Sequence, residues 1–114
     1  MAEAGEVALP AEDAKLVTLA RSAEARARGH EGAAVRDGIG RTYVASSVRL
    51  RSLTLSALQA ALAAALSSGA TDIEAAVVIT EATTLAERDR AVLDEMAVPR
   101  VLLVTADGAT TVAR

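Results

Sequence analysis

Leu16, Leu19, Ala20, Ala23 and Ala27 recur at three- and four-residue intervals, while Lys15, Arg21, Arg26 and Arg28 fall mostly elsewhere. That spacing predicts a helix with one apolar stripe. Pro10 can open it, because the N–H that proline lacks is unpaired at a helix start in any case. Gly29 is the expected stop. Residues 1–9 read as a flexible tail and residues 10–114 as a single domain. A short strand is expected at 33–35 and a glycine-rich hairpin turn at Asp37-Gly38-Ile39-Gly40, with a returning strand over 41–48. Residues 49–52 read as a loop. From Leu53 a second helix follows, with Leu55, Leu58, Leu62 and Leu66 on one ridge and Ala57, Ala60, Ala61 and Ala64 on a smoother one. Ser67-Ser68-Gly69 ends it.

Residues 73–80 carry Ala75-Ala76-Val77-Val78-Ile79, a nearly continuous apolar run, as in a strand covered on both faces. Thr84 and Glu87 have capping-box spacing and predict the start of a third helix that runs to about Met96. Strands at 100–105 and 110–113 follow, separated by a turn at 106–109. The order is α-β-β-α-β-α-β-β. A hairpin followed by alternating strands and helices implies a three-layer α-β-α sandwich around a mixed five-stranded sheet, with right-handed crossovers.

Composition narrows the picture. Hydrophobic residues make up 52% of the 114, yet Tyr43 is the only aromatic. The core must be built from Leu, Val, Ile and Ala, which bury little area each, so layers must approach closely and subunit contacts are expected to add stability. A net charge of −3 disfavours nucleic acid as a partner. Zero cysteine removes disulfides, thiolate metal sites and cysteine nucleophiles. The acidic start of the chain does not read as a signal peptide, and the apolar stretch 53–66 is too short to span a membrane. A cytoplasmic location is the expectation.

Glu31-Gly32-Ala33-Ala34, the hairpin ending Arg41-Thr42-Tyr43 and the helix over 53–66 together resemble the front half of a cytidine deaminase. The likeness extends over roughly residues 13–114 and implies that family's sheet order, 2-1-3-4-5 along the chain. Such enzymes open one helix with Cys-Ala-Glu or His-Ala-Glu and a second with Pro-Cys-X-X-Cys. Three ligands hold zinc, the metal activates a water, and the glutamate moves protons. On this resemblance the first ligand position is Ser56, the proton-shuttle position is Leu58, and the remaining ligand positions are Ala86 and Asp89. Ser47 and Arg49 stand where the family's Asn-X-Glu holds the ribose. A serine, a methyl group and one carboxylate are a poor zinc site, and leucine cannot carry a proton.

The resemblance therefore implies a divergent, zinc-less branch, of an actinobacterial type, with no catalytic residues, no metal and no cofactor. The expected function is a homodimeric or homotetrameric binding or scaffold module that takes a protein partner or a small ligand. The alternative is a nucleoside-related hydrolase with an atypical site or no zinc. Asp89 shares a helical row with Leu85, Val92, Leu93 and Met96, where a carboxylate is costly unless paired. Two readings stand: a pair with an arginine such as Arg49 or Arg51 near the domain edge, or a place in the remnant cavity as a ligand- or ion-binding group. Leu58 is expected to be buried against the strand bearing Val77 and Ile79. Ser56 reads as a cap or first-turn residue, His30 as an exposed loop residue, Gly38 and Gly40 as turn glycines, and Arg41, Arg49 and Arg51 as a solvated rim.

Overall fold

Strands whose successive side chains face opposite ways set the layers of this molecule. The structure, a computed structural model, describes residues 9–27, 30–105 and 107–113. The expected tail at 1–8 and the helix stop at Gly29 lie outside the described residues; Leu9 packs against the first helix's core. The elements are α1 (Ala11–Arg26), β1 (Glu31–Asp37), β2 (Thr42–Ser46), β3 (Val48–Arg49), β4 (Thr54–Leu55), α2 (Ala57–Ser67), β5 (Ile73–Thr80), α3 (Glu87–Glu95), β6 (Arg100–Val104) and β7 (Thr110–Val112). The main sheet has the order β2-β1-β5-β6-β7. Only β5 and β6 are parallel; the other neighbours are antiparallel. With β3 and β4 set aside, this is the order 2-1-3-4-5.

Two separate cores result. Ala34, Ala75, Val77, Ile79, Leu102 and Val104 face α1, meeting Leu16, Val17 and Ala20. Their strand neighbours Ala33, Val35, Ala76, Val78, Val101 and Leu103 face the other way and meet α2 and Leu93 of α3. This alternation explains why both faces of β5 are apolar. As expected, Leu58 is fully buried against β5; it meets the face that presents Ala76 and Val78, while Val77 and Ile79 of the same strand belong to the α1 side. A strand cannot turn adjacent residues to one face.

Gly32 brings α1 down onto β1. A Cβ at that position would overlap the carbonyl oxygen of Ala20 and the backbone nitrogen of Glu24. Polar contacts fasten the same layer. Asp13, 3% exposed, accepts from Arg36 Nη2 at 3.1 Å and Arg100 Nε at 2.6 Å, and Arg36 Nε also donates to Glu74 at 2.7 Å. Burial pulls the Arg36 guanidinium down, but Glu74 and Asp13 outweigh it and hold the group above its ordinary value. The hairpin turn is closed by Asp37, which accepts from the backbone of Ile39 and Arg41, the Arg41 side chain and the Tyr43 hydroxyl.

Two element boundaries differ from the periodic pattern. Helix α2 begins at Ala57, not near Leu53, because Thr54 and Leu55 pair with Val48 and Arg49 in a separate two-stranded ribbon. Its buried stripe is Ala57, Leu58, Ala61 and Leu62, drawn from both supposed ridges, with Ala65 from neither, and Leu66 is exposed. Helix α3 begins at Glu87 behind Ala86, with no side-chain cap, so the capping box expected from Thr84 and Glu87 does not form. The acid at the third position of the actual helix is Asp89, and its carboxylate is engaged elsewhere.

Candidate functional site

The starts of α2 and α3 converge beside the ends of β1 and β5. Ser56 caps α2: its Oγ accepts from the Gln59 backbone N–H at 3.0 Å, and Gln59 Oε1 accepts from the Ser56 N–H at 3.0 Å. This reciprocal box satisfies two of the helix's otherwise unpaired donors. A third, the Ala57 N–H, donates to Glu31 Oε1 at 2.8 Å. Glu31 stands at the first position of β1, so the sheet delivers an acid to the positive end of α2. The Ser56 hydroxyl then donates to Asp89 Oδ1 at 2.5 Å.

Asp89 is 3% exposed. Burial pushes its carboxyl above the ordinary range; the Ser56 hydrogen bond pulls it partly back, the charge of Glu31 adds to the rise, and Arg88 opposes it. Neither suggested arginine partner, Arg49 or Arg51, pairs with it. Both are exposed near the ribbon, and the partner Asp89 has is Ser56.

A cavity of about 190 Å³ opens beside this cluster, lined among others by Glu31, Thr80, Thr84, Ala86 and Asp89. Two larger hollows lie elsewhere. One, of about 350 Å³, adjoins Arg36 and Glu74, whose charges already pair with each other. The other, of about 320 Å³, runs between α3 and the last strands, floored by Leu93, Val101 and Leu103. Size alone does not mark the chemistry here; the small cavity is the one with a deeply buried carboxyl group in its wall.

A model of the cytidine deaminase-like family matches residues 9–110. The chain belongs to that family. No curated protein matches it in sequence. Among solved structures, it is similar to a cytidine deaminase from Burkholderia pseudomallei, with 23% identity over 87% of this chain and 89% of that one and a TM-score of 0.75. A cytidine deaminase from Mycobacterium leprae shares 22% identity over 85% and 92%, with a TM-score of 0.62. A mutant cytidine deaminase from Mycobacterium tuberculosis shares 25% over 82% and 84%, with a TM-score of 0.65.

Within this cytidine deaminase-like fold, of the four positions singled out by the resemblance, Ser56 and Asp89 are hydrogen-bonded to each other, and Ala86 and Asp89 line the same cavity. The fourth, Leu58, is fully buried in the α2 core. Ser47 is half-buried between β2 and β3, Arg49 is exposed on β3, and neither lines the cavity. Glu31, which the sequence offered only as the start of the resembling segment, is brought to the site by β1.

The donor set does not fit zinc. Ser56 and Asp89 are closed on each other, and Ala86 offers a methyl group. Among the described residues no group of three or more His, Cys, Asp or Glu side chains could hold a metal ion. Tetrahedral zinc needs several deprotonated nitrogen, sulfur or carboxylate ligands converging at about 2 Å. What the arrangement offers instead is a hydrogen-bonded wall with acceptor groups facing a small cavity.

Proposed function

We propose that this chain is a catalytically inactive member of the cytidine deaminase-like family, acting as a homo-oligomeric binding module. The supporting observation is the 2.5 Å hydrogen bond between Ser56 and Asp89. The two ligand-position side chains that retain polar atoms bind each other, the third is Ala86, and the proton-carrying position is a buried leucine. Each change is tolerable for a fold and adverse to metal-assisted hydrolysis.

The nucleoside-hydrolase alternative rests on one feature, a buried carboxyl held above its ordinary range beside a hydroxyl, as in a general acid–base pair. One experiment separates the readings. The purified protein is assayed for zinc content and for deamination of cytidine and deoxycytidine, with Asp89→Ala in parallel. The expected result is no stoichiometric zinc and no turnover. Turnover that Asp89→Ala abolishes would establish the enzyme instead.

A further inference from the structure

The cavity beside Asp89 is lined by two carboxyl groups together with apolar side chains. Asp89 uses Oδ1 for Ser56, and among the described residues Oδ2 accepts no hydrogen bond. Glu31 likewise uses only Oε1, for the Ala57 N–H. Both residues line the cavity, and neither has an ion-pair partner among the described residues. Val78, Ala82 and Leu85 supply apolar surface in the same lining. The volume, about 190 Å³, is far above the ~10–15 Å³ that a single water requires.

An almost wholly buried carboxylate with an open oxygen calls for a donor, and two neighbouring carboxylates call for a cation. Arg88 is the nearby positive charge that eases Asp89, and it makes no ion pair with it. A planar head carrying N–H groups at both ends can offer one donor to each acid, while an apolar body lies against Val78 and Leu85. We propose that this cavity binds a small organic cation through an amidinium-type head, held by Asp89 and Glu31. The inference rests on the reading of this site as a binding site.

Benzamidinium is the probe, with uncharged benzamide and anionic benzoate as shape-matched controls. Each is titrated into the full ¹⁵N-labelled chain and followed by NMR. The expected result is saturable shifts at the Ala57 and Asp89 amides with benzamidinium, with benzamide weaker by at least about tenfold, since hydrogen bonds to charged groups are the stronger ones. Asp89→Asn and Glu31→Gln should each weaken benzamidinium binding severalfold; the second keeps the test alive if the first does not fold. Equal binding of benzamide, tighter binding of benzoate, or benzamidinium binding unchanged in both variants would overturn the proposal. Cytidine turnover measured on the same samples tests the parent reading separately. A sample that neither deaminates nor binds benzamidinium overturns this inference alone.

Discussion

In our proposed reading, Leu58 and Asp89 are the residues on which scaffold is weighed against catalyst. Leu58 is fully buried in an apolar layer. Leu58→Glu should therefore bring no deaminase activity and should destabilise the fold by about 3 kcal/mol or more, read as a fall in the urea midpoint. Asp89 gives a pH signature. Its folded-state carboxyl lies above the ordinary value of 3.8, so the folded chain holds this proton more tightly than the unfolded one. Stability contributed by the group thus falls as pH rises from about 4 through the raised value, then levels off. Asp89→Asn keeps an acceptor for Ser56 and removes the charge. It should be at least as stable as the parent at pH 7, with the difference shrinking toward pH 4 in paired thermal melts. A parent that is clearly the more stable at pH 7 would contradict this. The sequence displayed Asp89's awkward position on an apolar row, but not its partner: Ser56 is 33 residues away, and only the folded α2–β5–α3 path brings the two together.

At the scale of elements, long periodic segments were legible and short ones were not. β5 follows its apolar run from Ile73 to Thr80 because both faces are covered. The β3–β4 ribbon has two residues per strand, too few for a period to show, and it displaced the start of α2. The end of α3 carries a further cost that spacing does not reveal. Ala97 has φ 51°, the left-handed conformation that the chain uses to leave the helix. A Cβ in that region costs roughly 1–2 kcal/mol, whereas glycine adopts it freely. Ala97→Gly should therefore stabilise the protein by about 0.5–1 kcal/mol, after the extra chain entropy of glycine is subtracted. An unchanged or lowered denaturation midpoint would show that the helix end carries no such strain.

For the whole molecule, composition foretold a close-packed structure of small side chains, and the two cores on either side of the sheet are built that way. Composition does not show which surface meets a partner, since an exposed leucine looks like a buried one in sequence. The ribbon displays Leu50 at 59% exposure and Leu53 at 49%, beside the start of α2. For the proposed homo-oligomer we assign the contact to residues 49–64, so light scattering at micromolar concentration should give a dimer or tetramer. Leu50→Asp with Leu53→Asp should shift the mass toward a monomer, and a monomeric parent would refute the assembly. The tight seat of α1 on Gly32 has a different bearing, on inheritance. Substitutions there force a helix and a strand apart, so mutation is barred at that position whatever the protein does for its host. Ala86 is exposed and meets no such crowding, so under our proposed reading a gene can rewrite that position while the segment beneath the helix still announces the family. In our proposed reading, descent and occupation are written in different residues of this chain, and the first can outlast the second.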